Sequence, residues 1–238
     1  MILPDQIHPD LIDITCVLFD MDGTLLDSAP GVTSSAAEAL TAVGAPVPSL
    51  SELRKFVGPP MIESFRTVSG LDDETARHAL QHYRRAYADH GAIQSEVYDG
   101  IIPLLDQLYG AGIPLAIATS KVEDQAERLA KHFDLGGYFV NICGASDELG
   151  RADKTDVIAE LLQRLAAQGI DVSNPVMIGD REYDVRGAAA HGIPSIFVTW
   201  GYGHPEESAG AAAIASSPEA LLPLILNPSR NRNHAVLL

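Results

Sequence analysis

The sequence predicts an α/β protein: a doubly wound parallel sheet with an all-helical unit inserted after the first strand. Three observations lead to this fold class. Short apolar runs recur along the chain, and most of them are separated by stretches with helical periodicity. Continuously apolar strands are typical of parallel sheets, which are buried on both faces. The long stretch that follows the first apolar run contains no convincing strand and is predicted to be helical.

The first strand is predicted over Ile14–Phe19, after a surface lead-in that covers residues 1–13. The helical insertion that follows contains an Ala-rich helix, a Gly-Pro break and a long polar helix with an acidic start. These segments are Gly31–Val43, Val57–Pro60 and Asp72–His90. We therefore expect two domains, with residues 1–27 and 98–238 forming the α/β core and residues 28–97 the insertion.

From residue 98 the chain alternates strand and helix, which predicts βαβ units with right-handed crossovers. The further strands are predicted at Ile113–Thr119, Tyr138–Cys143, Pro175–Gly179 and Pro194–Val198. The helices between them are predicted at Ile101–Tyr109, Val122–His132, Asp153–Gln168 and Asp184–His191. Residues 211–226 are expected to close the core, with a helix in their later part. The tail from Asn227 is expected to be a mobile end.

The charge balance limits the function classes. The 238-residue chain carries 32 acidic and 16 basic residues, a formal net charge of −16. This balance argues against binding nucleic acid or an anionic membrane through a basic surface. No apolar window is long enough to span a bilayer, and we expect no secretory signal. Cys16 and Cys143 each lie in an apolar run, which is typical of core residues in a reducing compartment. We expect a cytoplasmic protein, with monomer or dimer left open.

Polar side chains lie at or just after the ends of several predicted strands. The clusters are Asp20 with Asp22, Thr119-Ser120-Lys121, Lys154, and Asp180 with Asp184. Because parallel strands end at the same edge of a sheet, these clusters can converge although they are far apart in sequence. Two carboxylates as close as Asp20 and Asp22 repel each other unless a cation or a shared proton compensates.

Each cluster by itself also has an ordinary structural explanation. Thr119 and Ser120 could cap the next helix, and Asp180 could be an N-cap. Lys154 could be solvated, but a lysine at a helix N-terminus meets the partial positive charge of the helix dipole. An anion bound by Lys154 explains that position better. Convergence of the clusters is therefore the main argument for a site.

Together, the clusters predict a phosphoryl-transfer site. Asp20 can attack phosphorus and form an aspartyl phosphate, while Asp22 protonates the leaving oxygen and then activates water. Mg²⁺ suits a site with oxygen ligands only, and it would compensate the repulsion between the carboxylates. A hydroxyl and a lysine can neutralise the remaining phosphoryl oxygens.

These motifs resemble those of the haloacid-dehalogenase-like hydrolase superfamily, over essentially the whole chain. The resemblance rests on Phe19-Asp20-Met21-Asp22-Gly23-Thr24, Thr119, Lys154 and Gly179-Asp180-Arg-Glu-Tyr-Asp184, in that order. It implies that Asp20 is the nucleophile and a Mg²⁺ ligand. It also implies that Asp22 is the acid and base and offers its backbone carbonyl to the metal.

The same resemblance assigns the remaining site residues. It implies that Thr119, with Ser120 beside it, and Lys154 bind the phosphoryl group. Asp180 is implied to ligate Mg²⁺, and Asp184 to ligate it or to support its waters. The helical insertion is similar to the cap domain that closes over the site in this group.

Further stretches resemble the phosphoglycolate-phosphatase-like branch, which includes relatives described as nucleotidases or pyrophosphatases. These stretches are Thr119-Ser120-Lys121, Gly179-Asp180-Arg181, Asp184-Val-Arg-Gly-Ala188, Trp200-Gly-Tyr-Gly203 and Val57-Gly58-Pro59-Pro60. The resemblance implies that the partner is a small phosphorylated metabolite. Arg54 and Gly58, both in the cap, are candidate substrate contacts.

Other functions stay open at this point. A dehalogenase or a phosphonate hydrolase of this superfamily would not need Asp22, whereas a sugar phosphomutase would keep it. A receiver-type signalling module also combines a phosphoaccepting aspartate, a hydroxyl and a lysine on a doubly wound sheet. Receivers, however, lack both the long insertion and the second aspartate. The natural substrate cannot be identified from the sequence.

Overall fold

The computed structural model describes residues 11–146, 148–151 and 153–226. The chain divides into two units, Met1–Leu25 with Tyr98–Leu238, and Leu26–Val97. Most of the predicted lead-in and the predicted mobile tail from Asn227 lie outside the described residues. Leu11 is fully buried, so the prediction of a surface lead-in is wrong at this residue.

The first unit is built on a six-stranded sheet in which all neighbouring strands are parallel. The strands among the described residues are β1 (Cys16–Phe19), β2 (Leu26–Asp27), β3 (Glu96–Val97), β4 (Leu115–Val122), β5 (Phe139–Ala145), β6 (Pro175–Gly179), β7 (Ser195–Val198) and β8 (Ala213–Ala215). The order across the six-stranded sheet is β5-β4-β1-β6-β7-β8. The predicted α/β fold class with a parallel sheet is confirmed.

The helices of the second unit are α1 (Ala29–Ala42), α2 (Leu50–Leu53), α3 (Met61–Thr67) and α4 (Asp73–Ala86). Those of the first unit are α5 (Ile101–Gly110), α6 (Glu123–His132), α7 (Lys154–Ala167), α8 (Glu182–Ala189) and α9 (Leu222–Ile225). Among the helices of the described residues, none is long and apolar enough to cross a bilayer.

Strand β1 is the centre of the sheet, and all its side chains are buried. Cys16 and Leu18 share a cluster with α7, where Leu161 and Leu165 are fully buried. Val17 and Phe19 alternate with them along β1 and therefore face the other side of the sheet. Burial on both faces explains why β1 is a continuous apolar run.

The C-terminal part of the core contains a strand that the sequence did not predict. Residues 211–226 include β8, followed by a 3-10 turn over Pro218–Leu221 and then α9. The predicted helix in their later part is therefore present but short. Strand β8 is a three-residue edge strand whose Ile214 is exposed, so it has no apolar run by which it could be recognised.

The second unit is helical apart from one short antiparallel pair, β2 with β3. Its polar helix ends as an α-helix at Ala86 and continues as a π-helical turn over Tyr87–Gly91. Asp72 caps this helix by accepting hydrogen bonds from two backbone N–H groups. The predicted helix over Asp72–His90 thus corresponds to both segments, which end one residue later at Gly91. Strands β2 and β3 have two residues each, which is too short for a pattern to predict them.

We expect Leu161→Ala to lower the free energy of unfolding by about 2–5 kcal/mol, because it leaves a cavity in the packed core between α7 and the sheet. Chemical denaturation followed by circular dichroism measures this loss. Leu162→Ala is the matched control, since Leu162 is the next residue on the same helix and only partly buried. Equal losses for the two variants would contradict the described packing of α7.

Candidate active site

Three buried carboxylates meet beyond the carboxyl ends of β1 and β6. Asp20 directly follows β1, and its backbone N–H donates a hydrogen bond of 2.8 Å to the carbonyl of Ile178 in β6. Asp180 directly follows β6, and Asp184 lies in the first turn of α8. One oxygen of each carboxylate lies within 4.8 Å of the other two. The predicted convergence of these residues at one sheet edge is therefore present in the fold.

Burial makes the ionised forms of two of these carboxylates costly. It raises the pKa of Asp20 to about 6, with Lys154 opposing the shift and Asp184 adding to it. Burial also raises the pKa of Asp180 well above its usual range, and the charges of Asp184 and Asp20 raise it further. A cation placed among the carboxylate oxygens would therefore stabilise their ionised forms.

Lys154 provides the positive charge at the centre of this group. It is the first residue of α7, and its side chain is 4% exposed. Its Nζ lies 2.7 Å from Asp20 Oδ1, 2.8 Å from Asp184 Oδ1 and 2.9 Å from the carbonyl oxygen of Ala118. Although burial alone would lower the pKa of Lys154, the two aspartates raise it above its ordinary value. The charges of Asp20 and Asp184 therefore explain why a lysine occupies the N-terminus of α7, where the helix dipole is unfavourable for a cation.

The three carboxylates fit a divalent cation of the kind that prefers oxygen ligands. The group contains three carboxylates and one ammonium group, which pairs with Asp20 and Asp184, so the set stays negative when all are ionised. Carboxylate oxygens are the ligands that Mg²⁺ uses most often in proteins, together with water. Asp20, Asp180 and Asp184 could therefore hold Mg²⁺.

Asp22 lies apart from this carboxylate group and has its own partner. Its Oδ2 is 2.9 Å from Nζ of Lys121, whose side chain is 6% exposed. The other oxygen, Oδ1, is buried and has no hydrogen-bond partner among the described residues. Asp20 and Asp22 are thus two residues apart in sequence, but they form ion pairs with different lysines, Lys154 and Lys121.

Lys121 belongs to the predicted polar cluster Thr119-Ser120-Lys121, but the sequence prediction gave it no role in the reaction. Strand β4 continues to Val122, past the predicted end at Thr119. The pairing of β4 with β5 is irregular between Ala118 and Val122, so regular alternation does not fix the faces of the side chains in this stretch. Thr119 is buried, Ser120 is exposed, and the hydroxyl of Thr119 accepts a hydrogen bond of 3.2 Å from the backbone N–H of Lys121. Lys121 is therefore largely buried and paired with Asp22, whereas its neighbour Ser120 is exposed.

The loop after β7 folds against Asp180. The backbone N–H of Tyr202 donates a 2.7 Å hydrogen bond to Asp180 Oδ2, and the Trp200 indole N–H donates to the carbonyl of Thr24. Both Gly23, with φ +88°, and Gly201 approach Asp180 so closely that an added Cβ would lie 2.3 Å from its Oδ2. Larger residues at these positions would displace the carboxylate.

The two predicted cap contacts lie in the second unit. Arg54 is an exposed residue of the 3-10 turn Arg54–Phe56, and Gly58 follows shortly after it with φ +102°. Both stay predictions. The phosphate-binding roles of Thr119, Ser120 and Lys154 also stay predictions, as does the implied contribution of the Asp22 backbone carbonyl to a metal site.

Comparison with known proteins identifies related sequences. A family model described as haloacid dehalogenase-like hydrolase matches residues 17–198. The chain is 46% identical over 190 residues to the tyrosine-protein kinase PtkA of Mycobacterium tuberculosis, which covers 80% of this chain and 64% of PtkA. The chain thus spans less than two thirds of the length of that relative.

Two further relatives align over most of their length. The chain is 37% identical to a 5'-nucleotidase of Pseudomonas aeruginosa, over 80% of this chain and 85% of the relative. It is 31% identical to phosphoglycolate phosphatase 1 of the same organism, over 92% and 87%. Among solved structures, a predicted phosphatase from Clostridium acetobutylicum superposes with a TM-score of 0.81 at 42% identity, covering 90% of this chain and 98% of the other.

Asp180→Asn is expected to stabilise the metal-free protein at neutral pH. A carboxyl group whose folded-state pKa is raised contributes stability below its unfolded pKa, near 3.8, and loses it as the pH rises through the folded value. Asparagine removes this cost and can still accept the Tyr202 hydrogen bond. With EDTA at pH 7 we expect Tm to rise by about 2–4 °C, and the gain to shrink as the pH falls toward 4.

Asp171→Asn is the control for this prediction. Asp171 is exposed, and its hydrogen bonds with Ser173 lower its pKa, so its ionised form is stabilising above the unfolded pKa. Its replacement should leave Tm at pH 7 unchanged or lower. A fall in Tm for Asp180→Asn, or the same rise for both variants, would show that the carboxylate group is not electrostatically crowded.

Proposed function

The chain belongs to the haloacid dehalogenase-like hydrolase family, and we propose that it is a Mg²⁺-dependent phosphatase. The proposed reaction is hydrolysis of a small phosphate monoester through an aspartyl-phosphate intermediate, as expected of a phosphoglycolate-phosphatase-like enzyme. One observation carries the proposal: Asp20 joins the carboxylate group with Lys154, whereas Asp22 pairs with Lys121. This separation supports one aspartate as the nucleophile and the other as the proton carrier.

The first proposed step transfers the phosphoryl group to Asp20. A carboxylate oxygen of Asp20 attacks phosphorus, an O–P bond forms, and the bond from phosphorus to the ester oxygen breaks. Asp22 donates its proton to the departing oxygen, so the product leaves as an alcohol. Lys154 contacts Asp20 Oδ1, which supports Oδ2 as the attacking atom.

The second proposed step returns the enzyme to its starting state. Asp22, now ionised, takes a proton from water while the water oxygen attacks phosphorus. The bond between phosphorus and Asp20 breaks, inorganic phosphate leaves, and Asp22 is again protonated. Thr119 and Lys154 donate hydrogen bonds to the phosphoryl oxygens in both steps, which stabilises the charge that develops there. Acid–base catalysis of the kind proposed for Asp22 contributes about 10²–10⁴-fold in rate.

Mg²⁺ held by Asp20, Asp180 and Asp184 would supply positive charge for the phosphoryl oxygens and remove the repulsion between nucleophile and substrate. We also propose that the Asp22 backbone carbonyl contributes to this site, as the family resemblance implies. The buried, crowded carboxylates support a divalent cation, and the absence of other ligand types among them supports Mg²⁺ over a softer metal.

The substrate class has two leading candidates. Phosphoglycolate is supported by the matching motif stretches and by the relative of that name, which covers most of this chain. A nucleoside 5'-monophosphate is supported by the higher identity to the 5'-nucleotidase. A panel that contains both, with sugar phosphates and pyrophosphate, distinguishes them by kcat/KM. Isomerised sugar phosphate in place of released phosphate would indicate a mutase.

We further propose a cytoplasmic location and a small phosphorylated metabolite as the partner. Cys16 and Cys143 are free and buried, and burial raises the pKa of each thiol to about 11. Such thiols are structural rather than reactive. The strongly acidic chain supports a partner that is bound through local cations and a metal, and not through a basic surface.

Asp20→Asn is expected to abolish turnover of p-nitrophenyl phosphate, on the order of 10⁴-fold or more, because the amide cannot act as the nucleophile. EDTA should abolish the activity of the wild-type protein, and added Mg²⁺ should restore that activity. Release of p-nitrophenolate measures both effects. Activity retained in Asp20→Asn would exclude the nucleophile assignment. A phosphorylated protein that persists for many minutes would favour the receiver-type alternative.

Asp22→Asn is expected to separate the two steps. The p-nitrophenolate group leaves without being protonated, so Asp20 can still be phosphorylated, but hydrolysis of the intermediate loses its base. Stopped-flow measurement should show a burst of about one p-nitrophenolate per active site followed by turnover slowed about 10²–10⁴-fold. An alkyl phosphate should give no burst, because its leaving oxygen needs the proton. Equal rates before and after the first turnover with p-nitrophenyl phosphate would contradict this role.

A further inference from the structure

The loop after β7 contacts Asp180 through the backbone N–H of Tyr202, and it contacts the two residues that follow Asp180 through Glu207. Glu207 lies in the 3-10 turn Pro205–Ser208. Its Oε2 accepts hydrogen bonds from Arg181 Nε at 2.8 Å and from the backbone N–H of Glu182 at 3.1 Å. Its Oε1 accepts one from the backbone N–H of His204 at 3.0 Å. Glu207 therefore connects this loop to the residues that follow Asp180.

These contacts flank one of the hydrogen bonds that orient the Asp180 carboxylate, which also accepts one of 3.4 Å from the Thr24 hydroxyl. Tyr202, which donates its N–H to Asp180 Oδ2, precedes His204 in the same loop. On the other side, Arg181 and Glu182 are the residues directly after Asp180. Glu207 thus connects His204, which follows the donor Tyr202, with Arg181 and Glu182, which follow the acceptor Asp180. Movement of either segment would lengthen the 2.7 Å bond between Tyr202 and Asp180.

The Glu207–Arg181 ion pair is largely buried, unlike a typical surface ion pair. The two side chains are 13% and 15% exposed. Exposed pairs contribute little and adapt to solvent, whereas a largely buried pair with several hydrogen bonds holds a defined geometry. None of the steps of the proposed reaction uses Glu207, so its elaborate set of contacts is left without a role in the chemistry itself.

We propose that Glu207 is a positioning residue for the Mg²⁺ site: it locks the loop after β7 against Asp180 and so fixes the orientation of that metal ligand. The inference rests on the proposed function in that Asp180 binds Mg²⁺. Groups that orient metal ligands typically change metal affinity about 10–100-fold when they are replaced. Glu207 therefore sets how tightly the protein binds Mg²⁺ without touching the ion or the substrate.

Calorimetric titration of the substrate-free protein with Mg²⁺ tests the proposal directly. We expect Glu207→Gln and Glu207→Asp each to raise the Kd for Mg²⁺ by about 10-fold. The aspartate variant keeps the charge but is one methylene shorter, so it cannot hold Arg181 and both backbone segments together. Glu206→Gln is the matched control, because it removes the same charge from an exposed residue of the same turn. Its Kd should stay within about 2-fold.

Kinetics at saturating Mg²⁺ distinguish positioning from general damage to the site. We expect Glu207→Asp to recover nearly the original kcat and KM once Mg²⁺ is raised above its increased Kd. Unfolding with EDTA, followed by far-UV circular dichroism, confirms that each variant is folded. If Glu207→Gln does not fold, the titration of Glu207→Asp decides.

Three outcomes would overturn the proposal. An unchanged Kd in both Glu207 variants would remove Glu207 from the metal site. A weakened Kd in Glu207→Gln, with an unchanged Kd in Glu207→Asp, would assign the effect to charge and not to positioning. A weakened Kd in Glu206→Gln would do the same. If the unchanged protein itself binds no Mg²⁺, the proposed function loses its metal, which is a different failure.

Discussion

The site depends on the buried Lys154 ammonium between Asp20 and Asp184. Burying carboxylates close together is unfavourable, and one positive charge at 2.7 Å and 2.8 Å makes the arrangement tolerable without neutralising it fully. Because Lys154 is the first residue of α7, its side chain also connects that helix to Asp20 at the end of β1 and to Ala118 within β4. The same contact therefore connects the packing of the core with the charge state of the site, and the remaining negative charge is what a metal ion would use.

The second constraint is the close approach of three loops around Asp180. The turn after β1 and the loop after β7 both reach its carboxylate, at Gly23 and Gly201, where a side chain has no room. Asp22 leaves the same turn in another direction and meets Lys121 from β4. A single Asp-x-Asp-Gly turn thus sends two carboxylates into different electrostatic environments. This division is what allows two chemically identical groups to take different roles in the proposed reaction.

Much of the fold and site followed from the sequence, for identifiable reasons. Asp20 and Asp180 directly follow apolar runs, and parallel strands end at one edge, so their convergence could be predicted before any coordinates. Lys121 lay in a predicted polar cluster, but its pairing with Asp22 could not be predicted, because it depends on β4 continuing beyond Thr119. Glu207 was missed because its partner Arg181 is 26 residues away and no local pattern connects a loop acid with a distant arginine. Strand β8 is too short to carry a pattern of its own.

The position of β1 also has a consequence for how the protein forms. The first strand in the chain pairs with β4 and with β6, so Cys16 has its partner at Pro175. During synthesis β1 leaves the ribosome long before β4 and β6 have been made. Its apolar side chains therefore cannot be buried in the sheet until both strands are present. Pairing between such distant segments closes large loops and is slow compared with local helix formation. The helical second unit, complete in sequence before β4, can fold in the meantime. The edge of the sheet that carries the carboxylate group is therefore assembled late, when β6 brings Asp180 to Asp20.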